Sequence, residues 1–354
     1  MVSPVPPPFG GISRWTLLMH QYVNCQQEVR FIQVNTANRW RKIDDLAIWK
    51  RLLFGMFQLF FNYIKYLSAL LKNPDVIHLT TSGGIGSIRD LVICATARIF
   101  HFPVVYHIRF GRIPEISSKK TVEWHILTIA LRLANQVITI DKSTADAISI
   151  HLPRISVNNI PNPIDFSNLP VSGKKEIEQN CVLFVGWIIP TKGIEELVQA
   201  WSALSPQKWV MLLVGPGDHA YRQELMIRYN THDLEFLDEL THDDAMQLIA
   251  KCDIFVLPSH TEGFPNAVLE AMALSKPVIA SSVGAIPEML SEDCGVLVEP
   301  KNVEELKNAL SMLIHDKPLR IKLGENARNK AKQKYSMDVV FAKYVDVWQK
   351  LCMR

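Results

Sequence analysis

Short apolar runs rich in β-branched residues alternate with helical patterns along the whole chain. In the first half they read VIHLTT, VVYHIRF, QVITI and ISVNNI; in the second they read VLFVGW, WVMLLVG, LEFLDEL, DIFVLPS, PVIASS and GVLVEP. Strand-length runs separated by helices predict parallel sheets with helices on their faces. One proline-rich interruption divides the two series, NNIPNPIDF from Asn158 to Phe166, whose prolines suit neither a helix interior nor a central strand. The pattern therefore predicts an α/β protein of two doubly wound domains, residues 1–160 and 164–335, with a ligand in the cleft between them.

Two segments depart from simple alternation. Only Met1 to Pro4 precede PPPFGGI, where a parallel sheet calls for a strand of about five residues. Either the strand starts upstream or it is unusually short. Residues 39–72 form a long helical pattern with a wide apolar surface, in which Arg51, Gly55, Gln58, Asn62, Lys65 and Lys72 recur as a thin polar stripe. The uncharged run Leu52 to Ile64 is too short to span a bilayer, which requires roughly 20 apolar residues. Burial against the sheet is one reading of this helix. The other is docking on an anionic membrane surface, with aromatic residues beside Arg39, Arg41, Lys42, Lys50 and Arg51.

Composition narrows the class. A chain of 354 residues, 48% hydrophobic and 21% charged, is a folded protein of two ordinary domains, and a net charge of +3 gives no argument for nucleic acid. The six cysteines are scattered without a C-x-x-C pair, which favours reduced thiols. With no basic-then-apolar leader before the first motif, a cytoplasmic location is expected, either free or at the inner face of the plasma membrane.

The densest chemistry lies in HTEGFPNAVLEAM, His260 to Met272, where Glu262 and Glu270 flank a Gly-Phe-Pro turn with seven residues between them. A helix starting near Pro265 places Glu262 on the entering loop and Glu270 one to two turns inside, with first-turn N–H groups between them. Carboxylates accept from hydroxyls and such amides hold anions, a combination suited to a sugar carrying a diphosphate. Glutamates in a first turn are often mere dipole partners, but the preceding strand puts this pair at a carboxyl end, where open α/β sheets bind ligands. In VLFVGWIIPTKGIEEL, Lys192 stands at a helix entrance after Gly186, a phosphate-binding placement that a solvated lysine also fits. Gly215 and Gly217 suit either close backbone approach or a tight turn. In the first half, Gly10 and Gly11 stand at a strand-to-helix turn with Arg14 inside the helix, but neither they nor Gly83 to Gly86 show a G-x-G-x-x-G fingerprint. His107 ends a strand with Arg109 and Arg112 close behind it.

The E-x7-E segment, GWIIPTKG, PPFGGI, IPNPID and GVLVEP together resemble the retaining nucleotide-sugar glycosyltransferases of family four. That resemblance implies the GT-B fold, two Rossmann-like doubly wound domains facing across a cleft. It makes residues 1–160 the acceptor-binding domain and 164–335 the nucleotide-sugar domain, with a C-terminal helix in 336–354 crossing back to the first. It gives Glu270 the ribose hydroxyls, and Glu262 with the segment Gly263, Phe264, Pro265 and Asn266 the donor sugar. Gly186 and Lys192 attend the diphosphate, Gly10 and Gly11 contact it from the opposite domain, and His107 sits beside the transferred sugar. Catalysis then falls to His107, Glu262 and Lys192, with Glu262 positioning the sugar rather than attacking it.

One position departs from the pattern: where the family carries arginine after the strand-turn glycine, this chain has Trp187. Arg14, Arg109 and Arg112 are the candidate substitutes for the missing cation. No D-x-D pair occurs, so neither metal nor cofactor is expected. The expected partners are a UDP- or GDP-sugar donor and a growing, lipid-linked glycan of the capsule, O-antigen or exopolysaccharide kind. A nucleotide-sugar epimerase of the same fold and an inactive sugar-nucleotide-binding subunit are the competing readings.

Overall fold

Among the described residues, twelve strands form two all-parallel sheets of six. The computed structural model describes residues 1–7, 10–25, 29–37, 48–170, 180–229 and 233–353, without the side chains of Cys25 and 48–56. The chain divides into one unit of Met1–Pro163 with Val340–Arg354, and a second of Ile164–Val339.

In the first unit β1 (Val2–Ser3), β2 (Val34–Asn35), β3 (Ile77–Thr81), β4 (Val104–Ile108), β5 (Gln136–Thr139) and β6 (Val157–Asn159) run in the order β2-β1-β3-β4-β5-β6. The first strand is indeed short, two residues, yet Val2 pairs with Val34 on one side and Leu79 on the other. Strands β3 and β4 are buried along their whole length, and alternation gives their two faces different chemistry. One face, with Leu79, Tyr106 and Ile108, enters an apolar core with Tyr66, Ile93 and Leu127. The other carries His78, Thr80 and His107 under Trp15, Tyr344 and Trp348.

The aromatic helix is described over Ile48–Leu70. Arg39, Arg41 and Lys42 lie outside the described residues, as do the side chain of Lys50 and, in the stripe, that of Arg51. The rest of the stripe is divided: Lys65 and Lys72 are exposed, but Asn62 is buried and Gln58 Nε2 donates inward to the Ala37 carbonyl at 2.6 Å. Phe57, Phe60, Phe61 and Ile64 point outward instead, the three phenylalanines each more than half exposed. Tyr66 and Leu70 anchor the inner side.

In the second unit β7 (Asn180–Val185), β8 (Trp209–Val214), β9 (Leu234–Leu237), β10 (Ile254–Leu257), β11 (Val278–Ser281) and β12 (Val296–Val298) run in the order β9-β8-β7-β10-β11-β12. Strand order reverses between β7 and β10, which makes their carboxyl ends the switch point of a doubly wound sheet. Val182, Leu183 and Phe184 are fully buried beside Phe255 and Val256, since helices cover both faces and leave no side of these strands for water. Helix starts are set by capping side chains, as where Thr241 accepts from the Asp244 amide and Asn302 from that of Glu305.

The turns after β7 and β8 touch backbone to backbone. Gly215 has φ of 143°, and a Cβ there would stand 2.0 Å from the Gly186 carbonyl oxygen. Replacing Gly215 by alanine forces that carbonyl away and strains the turn, and is expected to cost about 3 kcal/mol in urea unfolding. A loss under about 0.5 kcal/mol would show that the two turns separate freely.

Candidate active site

After Val185 the chain passes Gly186 and Trp187 into a 3-10 turn, Pro190–Lys192. Gly193 follows with φ of 68°, and a Cβ on it would lie 2.0 Å from the Pro258 carbonyl oxygen. Glycine therefore lets this turn press against the segment that leaves β10, and the His260 amide ties the two together by donating to the Thr191 carbonyl at 2.9 Å. The result brings Lys192 to Glu262. Its ammonium donates to Glu262 Oε1 at 2.6 Å, and Ser259 Oγ donates to the same oxygen at 2.7 Å. Both charged side chains are mostly buried, so their attraction is screened less than at a surface.

Glu262 enters the helix Asn266–Ala273, whose N-cap is Pro265 rather than its first helical residue as expected. Pro265 has an extended backbone, and its carbonyl accepts from the Leu269 amide. Phe264 is buried with its ring on Tyr335 at 5.4 Å, so this residue offers a ligand its backbone and not its side chain. Gly263 is held by the Ala285 amide, which donates to its carbonyl at 2.8 Å. Glu270 lies one turn into the helix and faces His242 Nε2 at 3.1 Å. His260 Nε2 faces Glu196 Oε1 at 2.8 Å. Sequence reasoning passed over His242, Ser259 and His260, because their partners are set by packing between distant segments.

At the carboxyl ends of β7 and β10, then, a lysine, two glutamates and the start of a helix converge. Lys192 and the first-turn N–H groups suit an anion, and the glutamates suit hydroxyls. Since Glu262 already neutralises Lys192, an anion arriving there must share or displace that contact. Trp187 is half exposed and supplies no charge.

In the first unit, Gly11 opens the helix Gly11–Cys25, and the Gly10 carbonyl accepts from the Arg14 amide and Ser13 Oγ. His107 sits one residue before the end of β4 with its ring fully buried among Trp15, His78 and Tyr344. It therefore offers no exposed surface to a sugar. Trp348 Nε1 donates to His78 Nδ1 at 3.0 Å, His78 Nε2 lies 3.1 Å from His107 Nδ1, and Arg109 Nη1 lies 3.4 Å from His107 Nε2. Arg109 also donates to Asn162 Oδ1 at 2.7 Å and lies 4.4 Å over the Trp15 ring. Arg112 is committed elsewhere, with two contacts of 3.2 and 3.3 Å to Glu123, which also accepts from the Gly84 amide at 2.6 Å. Neither His78 nor Trp348 carries a sequence signal, since one lies in an apolar strand and the other in a C-terminal helix.

Burial, aided by the positive charges of the amino terminus and Arg109, pushes His78 down to about 3. Burial, with Arg109 and His78, holds His107 well below its ordinary value. An unfolded chain binds protons at these rings near pH 6.5 and the folded chain does not, so stability rises with pH across this range. Their contribution is expected to be complete above about pH 6.5 and to fall steadily toward pH 3. Urea unfolding between pH 7.5 and 4 checks this: the His78→Gln variant should show a visibly shallower slope, and an unchanged slope would show that the ring is accessible to protons when folded.

Residues 165–330 match the family of glycosyl transferases group 1. An uncharacterized glycosyltransferase of Methanocaldococcus jannaschii is 33% identical over 160 residues, which is 45% of each chain, so the alignment spans under half of that protein. The N,N'-diacetylbacillosaminyl-diphospho-undecaprenol alpha-1,3-N-acetylgalactosaminyltransferase of Campylobacter jejuni is 25% identical over 81% of this chain and 80% of its own. Among solved structures, Anabaena HepE in complex with UDP superposes with a TM-score of 0.72 at 20% identity, covering 96% of this chain and 90% of that one. Two parallel six-stranded sheets with helices, split between two units, are the fold of GT-B glycosyltransferases. The segment that carries Lys192, Glu262 and Glu270 thus matches the glycosyl transferases group 1 model, and the chain around it has the GT-B fold.

Proposed function

We propose that this chain is a retaining glycosyltransferase that moves a hexose from a UDP- or GDP-sugar to a growing, lipid-linked glycan of a cell-surface polysaccharide. The observation that carries the reading is the Lys192–Glu262 contact at the switch point, with Glu270 one turn further along the same helix. Transfer of a sugar from a nucleotide requires stabilisation of charge on the departing phosphate. Lys192 and the helix Asn266–Ala273 provide it. Glu262 accepts from sugar hydroxyls and Glu270 from the ribose, so that binding energy orients the anomeric carbon. The acceptor hydroxyl then forms its bond on the face that the phosphate leaves, and its proton passes to a leaving-group oxygen. No metal or cofactor enters this scheme.

Two findings favour a nucleotide donor and a lipid-linked acceptor: the solved HepE structure holds UDP, and the Campylobacter relative is named for a diphospho-undecaprenol. A membrane surface as the place of work is supported by the outward row of Phe57, Phe60, Phe61 and Ile64. Among the described residues no helix is long and apolar enough to cross a bilayer, which suits an attachment from one side.

Scanning calorimetry against a panel of UDP- and GDP-sugars should give one nucleotide that raises the midpoint, because a ligand bound to the folded state stabilises it by mass action. With that donor and an isoprenyl-diphosphate glycan, turnover is expected to fall about 100-fold in Lys192→Ala. Glu270→Ala should chiefly raise KM for the donor. Product from the donor alone, with an altered sugar and no transfer, would instead identify an epimerase.

Flotation with anionic vesicles should recover the protein. Combined Phe57→Ser, Phe60→Ser and Phe61→Ser is expected to weaken that recovery at least tenfold without changing turnover on a short, soluble acceptor; equal flotation of both proteins sinks the membrane assignment.

A further inference from the structure

The helix His242–Lys251 follows β9, the edge strand of the second sheet, and returns the chain to β10. The helix Asn266–Ala273 leaves β10 in turn, so both helices begin at the carboxyl edge of the sheet, where a doubly wound domain takes its ligand. Their packing places His242 beside Glu270, 28 residues further along the chain, with Nε2 at 3.1 Å from Oε1. An ionised carboxylate only accepts, so the histidine that faces it carries a proton on Nε2. His242 is therefore a donor toward Glu270.

Two further observations separate this contact from a chance meeting of surface side chains. The backbone on which His242 stands is fixed: Thr241 caps the helix by accepting from the Asp244 amide at 3.2 Å, and its Oγ donates to Asp244 Oδ2 at 2.6 Å. Glu270 is 13% exposed and His242 32%, so the contact is largely shielded while its outer edge still meets solvent. The other ring nitrogen lies 3.5 Å from Oδ1 of Asp243, whose side chain is fully exposed and whose attraction water screens. The ring is thus committed to Glu270. A carboxylate has about four acceptor positions, so one donor at one oxygen leaves capacity for hydroxyls.

We propose that His242 is a positioning residue that holds Glu270 in the orientation which accepts from the ribose hydroxyls of the donor, and that it thereby sets the preference of the site for a ribonucleotide over a 2′-deoxyribonucleotide. This inference rests on the ribose contact proposed for Glu270. A glutamate reaches its carboxylate through several rotatable bonds, and left to itself it spends part of its time turned away from a ligand. Donation from a capped helix start removes that freedom before the ligand arrives, so less binding energy goes into ordering the site. A site built to bond a hydroxyl rejects a ligand that lacks it, because the site's own polar groups are then left short of partners. Rejection of the deoxyribose is as strict as the carboxylate is firmly held, since a loose Glu270 simply turns aside.

The test compares two amides of different reach in the full chain. His242→Gln carries an N–H to the neighbourhood of the former Nε2, whereas His242→Asn carries the same group one carbon short. Calorimetric titration with UDP and 2′-deoxy-UDP, or with the guanine pair if the donor proves to be a GDP-sugar, reads the preference directly. The unsubstituted protein should bind the ribonucleotide about tenfold more tightly than its 2′-deoxy form. In His242→Asn the ribonucleotide should weaken about fivefold while the 2′-deoxynucleotide stays within roughly twofold, so that the preference nearly disappears. His242→Gln should retain most of it.

An unchanged preference in His242→Asn overturns the proposal. So does equal weakening of both nucleotides, which shows that the ring meets another part of the nucleotide or merely supports the fold. A preference lost equally in His242→Gln and His242→Asn overturns it as well, since reach then decides nothing. Should His242→Asn lose its fold, His242→Leu, which has no donor, is read in its place. Glu270→Ala separates this inference from the reading beneath it. Preference lost in Glu270→Ala but kept in His242→Asn removes the role of His242 and leaves the proposed ribose contact standing, whereas preference kept in both removes that contact and the inference with it.

Discussion

The candidate site depends on one close approach, the 3-10 turn ending in Gly193 against the Pro258 carbonyl. Lys192 and Glu262 are 70 residues apart in sequence and meet at 2.6 Å only because β7 and β10 are neighbours and their exit loops touch. Any side chain at 193 would hold the loops apart, and the ammonium would then face water instead of a carboxylate. Neighbouring strands alone do not suffice, because adjacent parallel strands can send their loops to opposite faces. The His260 amide bond to Thr191 and the Ser259 contact to Glu262 complete the constraint, which makes the pair a property of the loops rather than of two long, mobile side chains.

Sheet and site differ in how far the chain itself reveals them. Parallel strands covered on both faces read as continuous apolar runs, so nearly all of the strands are visible as VIHLTT, VVYHI, VLFV and their kin. The exceptions are instructive. Val34–Asn35 is too short to make a run, and it exists because Val2 and Ser3 offer it a parallel partner. Glu262, Glu270 and Lys192 were legible because strand ends and helix starts can be placed from local pattern. Their immediate partners were not, since Ser259, His242 and His260 are ordinary polar residues until the loops fold together.

Asn62 shows the opposite failure. A polar residue recurring at helical spacing reads as a solvent stripe, yet here Gln58 and Asn62 turn inward and the phenylalanines turn out. Periodicity gives the angle between faces, not which of them meets the core. That choice belongs to the segment beneath, where Ala37, two residues past the end of β2, presents a carbonyl that Gln58 can bond. Burying polar groups that find partners while leaving three large aromatic rings in water is unfavourable for a surface facing only solvent, and this is the physical reason to assign that surface a task.

The same logic governs the polar face of the first unit. Strands β3 and β4 could have presented valine and leucine on both sides, as most parallel strands do, but one side carries His78, Thr80 and His107, closed over by Trp15, Tyr344 and Trp348. Aromatic covers are apolar enough to keep water out, and they bring one N–H donor from each tryptophan and, from Tyr344, a hydroxyl that both donates and accepts. Enclosed in this way, the two imidazoles relay the direction of hydrogen bonding across the sheet face, from Trp348 through His78 to His107. Where β4 hands the chain to Arg109, the guanidinium is answered by neutral oxygens, those of Asn162 and Tyr344, so the closed face holds a cation among groups that carry no opposite charge.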